Sequence, residues 1–292
     1  MVCTVVATWP FSLGPVTHCI EMLRDEKTSV SAAVVDAIRL VELDPDVHTV
    51  GSYSFPNSDG VLQLDAAIIE VSAGRHRCGS VMALEGFSGS IEAAFTVMTQ
   101  SPHPILVGDG ARKFVESHGL LPSQSPVPTM ELPVAKSLNK PAGSHGNHDT
   151  VGLIAVRDGV ITVGCSSSGK QGKHPGRVGD SPIFGSGLYA EGGVGAAVCT
   201  GDGDKMCSFP LAFSVVTLMR SGHTPQEACT QAIQYLLALP QGDAEIEIAV
   251  IACSVHGDVG AACSPKYLSE FTFAAGSAEH QAEVYFCQPR PE

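Results

Sequence analysis

Three residue types with complementary chemistry fall within one short run, NHDTVGLIAVRDGVITVGCSSSGKQGKHPGRVGDSPIFGSG at residues 147–187. Thr150 offers a hydroxyl nucleophile, Arg177 a permanently charged anion binder and Asp180 a carboxylate. Arg177 stands three residues before Asp180 in GRVGDSP, between glycines. A guanidinium can hold a carboxylate through two parallel hydrogen bonds while a carboxylate accepts from an ammonium, so the pair can grip both ends of an α-amino acid. The same two charges also suit a surface ion pair in a turn. A threonine becomes a self-sufficient nucleophile when its own α-amino group, of unperturbed pKa about 7.7–8.0, accepts the hydroxyl proton. For Thr150 this requires that the Asp149–Thr150 peptide bond be broken first.

The surrounding elements must place these groups. Thr150 follows a Pro/Ser-rich linker over about 122–149 with prolines at 122, 126, 128, 133 and 141. It precedes alternating apolar residues (Val151, Leu153, Ala155) that predict a half-buried strand. Thr150 therefore sits where a loop becomes a sheet, a place that a β-branched residue also occupies for its strand preference alone. Upstream, Cys3 to Trp9 reads as a buried strand stopped by Pro10. Residues 15–24 and 29–43 have helical spacing, with Ser29 as a cap. Leu64 to Val71 predicts a strand, Cys78-Gly79-Ser80-Val81 a turn before a helix at about 88–100, 105–108 a short strand and 111–117 a short helix. Downstream, strands are expected at 194–198, 245–253, 271–275 and 282–286, and helices at 207–220 and 225–239. The alternation indicates a layered α and β architecture.

Composition removes several function classes. The 292 residues are 44% hydrophobic and 16% charged, enough for a large core. Thirty acidic against 17 basic residues give a net charge of −13, without a basic cluster to follow a phosphate backbone, so no nucleic-acid partner is expected. No apolar run approaches the ~20 residues of a spanning helix, and the opening MVCTVVATWPF lacks the basic start of a signal peptide, so no membrane partner is expected either. The ten cysteines form no C-x-x-C pair and there is no H-E-x-x-H, which leaves no metal or cofactor indicated. Gly164 to Lys170 spells a phosphate-loop pattern, but Gln171 replaces the metal-binding hydroxyl; Gly185-x-Gly187-x-x-Ala190 is not followed by a helix-forming run. No G-x-S-x-G elbow is present.

The blocks HDTVG, GRVGDSP and TGDGD (Thr200 to Asp204), with TWPF at Thr8 to Phe11 and GAAC at Gly260 to Cys263, resemble in order the signature blocks of the glycosylasparaginase (aspartylglucosaminidase) family, N-terminal-nucleophile hydrolases of the type-2 asparaginase kind. The resemblance implies an α+β fold, specifically a four-layer αββα sandwich. It implies one precursor autoproteolysed at Asp149–Thr150 into an α chain (1–149) and a β chain (150–292), assembled as a dimer of αβ heterodimers. It makes Thr150 the nucleophile, Thr200 and the Gly201 N–H the oxyanion hole, and Ser167 and Thr49 hydrogen-bonding supports. Arg177 and Asp180 become the α-carboxylate and α-amino binders, with Trp9 and Phe11 as pocket walls. The implied reaction frees aspartate and 1-amino-N-acetylglucosamine from the glycosylated asparagine of degraded glycoproteins. The related L-asparaginase/β-aspartyl peptidases share this machinery, and a non-processed, non-catalytic relative is the other alternative. Two disulfides, Cys229 with Cys253 and Cys263 with Cys287, and a lysosomal location are also implied, although the chain has neither a signal peptide nor an N-x-S/T sequon, which leaves a cytoplasmic location open. One departure is evident: Tyr53 and Ser54 stand where relatives carry a glycine pair, which predicts a reshaped loop near the nucleophile.

Overall fold

The computed structural model describes residues 2–123, 150–239, 246–265 and 271–287. The expected linker, with His148 and Asp149, lies outside the described residues from position 124 onward. An eight-stranded sheet runs in the order Glu283–Cys287 (β12), Phe271–Ser277 (β11), Cys3–Thr8 (β1), Val151–Arg157 (β5), Val160–Ser167 (β6), Leu64–Ser72 (β2), Arg75–Leu84 (β3) and Ile105–Val107 (β4). A four-stranded sheet runs Val259–Cys263 (β10), Ile248–Ser254 (β9), Gly195–Gly201 (β8) and Leu188–Glu191 (β7). Neighbours are antiparallel except β3 and β4. The chain is an α+β protein, completed by helices Leu13–Leu23 (α1), Val30–Glu42 (α2), Ile91–Gln100 (α3), Gly108–Ser117 (α4), Gly203–Met206 (α5), Leu211–Arg220 (α6) and Pro225–Ala238 (α7).

Side-chain parity assigns each strand residue to a layer. In β5, Val151, Leu153 and Ala155 pack with α1 and α2, whereas Ile154 and Val156 pack toward the second sheet. The strand is thus buried on both faces, not one, because helices cover one side and a sheet the other. A third core joins the outer face of β8 and β9 to α6 and α7. Fully burying a side chain such as Leu153 or Ile154 stabilises by roughly 1.5–3 kcal/mol, so a one-residue slip of β5 would put every one of them in the wrong layer.

Local chemistry explains most element ends. Ser29 caps α2 by accepting the Ala32 N–H at 3.1 Å, and Thr224 with Glu227 forms a capping box ahead of Pro225 in α7. Three expectations change. Cys78 to Val81 is not a turn but the middle of β3; a Cβ on Gly79 would meet the Ala94 carbonyl oxygen at 2.2 Å, so the glycine lets α3 lie on the strand. The helix expected over 207–220 begins only at Leu211, after Pro210, and a separate short helix, α5, ends before it at Met206. The strand at 194–198 continues to Gly201, and β7 was not anticipated. Cys229, Cys253, Cys263 and Cys287 are free thiols, so neither implied disulfide is formed, and the Cys263 thiol instead lies 3.9 Å from the Cys287 carbonyl oxygen.

Candidate active site

The strand ends bring five polar side chains to one edge of the layer between the sheets. Residues 150, 152, 154 and 156 share the inner face of β5; 161, 163, 165 and 167 that of β6; 65, 67 and 69 that of β2; 196, 198 and 200 that of β8. Period-two alternation alone therefore aims Thr150, Ser167, Asp65 and Thr200 into the same space, and Thr8 at the end of β1 joins them. Gly152 permits the sheets to meet closely there, since a Cβ would lie 2.4 Å from a Val198 methyl.

Thr150 is buried, 4% exposed, and held at every polar atom. Its nitrogen donates to Thr200 Oγ1 at 3.2 Å, and its hydroxyl lies 3.3 Å from Ser181 Oγ. Its carbonyl accepts from Thr8 Oγ1 at 2.7 Å, and Thr8 Oγ1 in turn accepts the Gly152 N–H at 2.9 Å. The Thr8 side chain thus extends the β1–β5 pairing beyond Ala7 and Leu153, where the backbone ladder stops. The result is a threonine whose backbone and hydroxyl are fixed independently.

Beside it, Arg177 donates Nε to Asp204 Oδ1 at 2.7 Å, and Lys170 bridges Asp202 and Asp204 at 2.9 Å each. Asp204 thereby fixes the guanidinium plane while glycines at 169, 179 and 203 leave room for its outer nitrogens; a Cβ at Gly169 would lie 2.7 Å from Arg177 Nη1. Asp180 is almost fully buried and its Oδ2 has no hydrogen-bond partner among the described residues. Burial raises its pKa to about 7, opposed by backbone N–H groups and Arg177. Thr150, Ser167, Arg177, Asp180 and Gly201 all line one cavity of about 10 Å³, room for roughly a single water. It must widen before an amino acid can enter. A fixed hydroxyl beside a guanidinium and an unsatisfied carboxylate suits acyl transfer on a zwitterionic substrate.

The asparaginase family model matches residues 14–283. The chain belongs to the asparaginase family. It is 36% identical over 269 residues to an N(4)-(beta-N-acetylglucosaminyl)-L-asparaginase of Elizabethkingia miricola, covering 89% of this chain and 78% of that protein. Proteins of the same name from Mus musculus (31% identical, 94% of this chain and 88% of that protein) and Rattus norvegicus (30%, 96% and 90%) are similar as well.

Several expected site residues of this asparaginase-family chain stand differently from their sequence-based roles. Trp9 is 1% exposed and does not line the cavity; it packs edge-on against Phe271 and donates Nε1 to Thr200 Oγ1 at 3.2 Å. Its backbone, at φ 67° and ψ 153°, occupies a region normally left to glycine, which costs on the order of 1–3 kcal/mol. Phe11 is half-buried between two cores, also away from the cavity. Thr49 contributes its carbonyl, which accepts from Ser168 N and Oγ at 2.9 and 2.8 Å, and so anchors the residue after Ser167. The loop around Tyr53 and Ser54 is a short 3-10 turn in which Ser54 has an ordinary φ of −80°. Only Gly51 there has positive φ; a Cβ on it would meet the Glu42 carbonyl oxygen at 2.0 Å. Glycine is thus not required at Ser54, whose buried hydroxyl is left unpartnered among the described residues.

Other supports had no motif to announce them. Glu42, fully buried, accepts Ser90 N at 2.8 Å, Ile91 N at 3.0 Å and Ser166 Oγ at 2.6 Å, tying the end of α2 to the start of α3 and to the strand that carries Ser167. Burial raises its pKa, against those hydrogen bonds. Asp65 and Lys173, each with a side chain 2% exposed, pair at 3.4 Å behind Arg177. The GKQGKHPGR run held Lys173 in view, but only the fold reveals its partner.

Proposed function

We propose that this protein is an N-terminal threonine amidohydrolase that cleaves the N4-(β-N-acetylglucosaminyl)-L-asparagine linkage to aspartate and 1-amino-N-acetylglucosamine. The single observation that carries this reading is the fixation of Thr150, its nitrogen on Thr200 Oγ1 at 3.2 Å and its hydroxyl near Ser181, at the wall of a cavity shared with Arg177 and Asp180. The names of the similar proteins supply the glycosylated substrate. In this reading the chain is a precursor: Thr150 Oγ attacks the Asp149 carbonyl, an N-to-O acyl shift gives an ester, and water releases an α chain (1–149) and a β chain (150–292). The helix, sheet, sheet, helix order of the three cores is then the four-layer αββα sandwich of N-terminal-nucleophile hydrolases, and the assembly a dimer of αβ heterodimers.

In turnover the freed α-amino group of Thr150 takes the hydroxyl proton, Oγ bonds to the side-chain amide carbon, and the carbonyl electron pair moves to oxygen. Thr200 and the Gly201 N–H stabilise that oxyanion, donors of this kind contributing about 10²–10³ in rate. Ser167 and Thr49 hold the strand and loop around Thr150, while Trp9 orients Thr200. Arg177 binds the α-carboxylate and Asp180 the α-ammonium.

Intact mass under denaturing conditions, with amino-terminal sequencing of any fragment, tests maturation; two chains, one beginning Thr150-Val151-Gly152, are expected in place of one 30.3 kDa species. Hydrolysis of glycosylasparagine, asparagine and β-aspartyl dipeptides by the matured protein then tests the substrate, and no release of aspartate from the first would sink the assignment. Gly203→Ala offers a sharper check on the α-group site. A methyl there would lie 2.8 Å from Asp180 Oδ1 and 3.2 Å from Arg177 Nη2. The expected outcome in steady-state kinetics is a KM raised about tenfold, the effect of roughly 1.4 kcal/mol of lost binding, with cleavage at Thr150 unchanged.

A further inference from the structure

We propose that Ser181 is a further catalytic residue, whose hydroxyl donates to Thr150 Oγ1 and fixes the attacking oxygen; this rests on Thr150 being the nucleophile. Ser181 is 4% exposed and lines the same cavity as Thr150, with the two hydroxyl oxygens 3.3 Å apart. That contact is long for two neutral hydroxyls, whose separation is ordinarily about 2.7–2.8 Å. It shortens when charge accumulates on Oγ1, because hydrogen bonds to an anionic oxygen are shorter and about twice as strong.

The backbone that carries Ser181 is rigid. Ile183 N donates to Asp180 O at 2.8 Å, the Pro182 carbonyl accepts Ser80 Oγ at 2.8 Å, and Pro182 fixes its own φ. Beside Ser181 lies Cys165, fully buried on the inner face of β6. Burial holds that thiol far above its usual range, so it keeps its proton. A thiol that keeps its proton is only a weak acceptor, so it competes little with Thr150 for the Ser181 proton. Thr150 is then held from two sides: its nitrogen from β8 through Thr200, its hydroxyl from the 176–187 segment through Ser181. Together these contacts set the N–Cα–Cβ–Oγ torsion on which proton transfer within one residue depends.

Ser181 is no base. As Oγ1 bonds to the acyl carbon, the Thr150 O–H bond breaks and its proton passes to the Thr150 α-amine. Ser181 keeps its own proton and donates it to Oγ1 as a hydrogen bond throughout. In autocleavage, where the Thr150 nitrogen is still an amide, the same contact orients Oγ1 toward the preceding carbonyl.

The test compares wild type with Ser181→Ala, Ser181→Cys and Ser181→Thr, reading autocleavage rate, kcat, KM and thermal unfolding. Ser181→Ala is expected to lose about tenfold or more in both cleavage rate and kcat, the effect of one lost hydrogen bond in the transition state. KM should change less than about twofold, since Arg177 and Asp180 hold the α-groups independently. Ser181→Cys, similar in shape but a weaker donor, should fall in between, and Ser181→Thr should restore most of the loss. Wild-type cleavage and kcat in the alanine or the cysteine variant would overturn the proposal. So would a loss confined to KM, or one that follows the melting temperature and is not rescued by threonine. Failure of the wild type to hydrolyse any amide would instead count against the hydrolase reading, while cleavage rates would still report on Ser181.

Discussion

Thr150→Ala gives a single uncleaved chain with no amidase activity. The alanine removes only Oγ1 and a methyl group; the backbone contacts with Thr8 and Thr200 remain, since they use the carbonyl and nitrogen of residue 150. The fold should therefore survive, with a stability change within roughly 1 kcal/mol, the scale of one modest hydrogen bond. Activity should fall by at least about 10³-fold, because neither the acyl shift nor the covalent intermediate can form without the hydroxyl. Denatured mass spectrometry and a direct assay check both halves. Normal cleavage of the variant would remove Thr150 from its role, whatever the assay gave. Thr150→Ser separates chemistry from geometry: it keeps the nucleophile but loses the methyl that restricts χ1, so it should cleave and turn over, only more slowly.

That this residue stands out in the sequence, while its surroundings do not, follows from how each is encoded. Thr150, Arg177 and Asp180 fall within 31 consecutive positions, and their types alone state a chemistry. Alternation in β5 was visible too, although its two-sided burial was not, because Gly152 carries no apolar signal while permitting close approach of the second sheet. Long-range partners were out of reach. Thr8 lies 142 residues from Thr150, Glu42 lies 124 from Ser166 and Lys173 lies 108 from Asp65. Nothing in a threonine at a strand end says which carbonyl it will meet. Trp9 was noticed for its place before Pro10 but assigned to a pocket wall, because only the folded backbone turns its indole onto Thr200. Gly79 misled for a related reason: glycine signals a turn locally, yet here it clears space for a helix.

Asp180→Asn is expected to abolish recognition of the substrate ammonium and, at the same time, to stabilise the fold above neutral pH. The carboxylate is buried with Oδ2 unpartnered, and burial moves its pKa from 3.8 to about 7. The folded protein thus holds a proton that the unfolded chain releases between those values. Stability falls as pH rises through this window, and the full penalty, on the order of a few kcal/mol, applies above pH 7. Asparagine has no such penalty, so the variant should melt higher than wild type at pH 8, and that advantage should disappear as the pH approaches 4. Binding runs the other way. An ammonium supplies the partner that Oδ2 lacks but demands the ionised form, so kcat/KM of the wild type should rise with pH through about 7, in addition to the rise from deprotonation of the Thr150 amine. Loss of one partner of a buried charge pair costs roughly 3–5 kcal/mol, which sets the expected drop in kcat/KM at about 10²-fold or more. The acid limb in the variant should also lose one proton from its slope. Retained kcat/KM with an unchanged slope would place the ammonium elsewhere, and a variant less stable than wild type at pH 8 would mean that the carboxylate has a partner when charged. The two effects share one cause: a charge left without a partner in the free protein is costly to the fold, and that same unmet demand is what gives the ammonium its affinity.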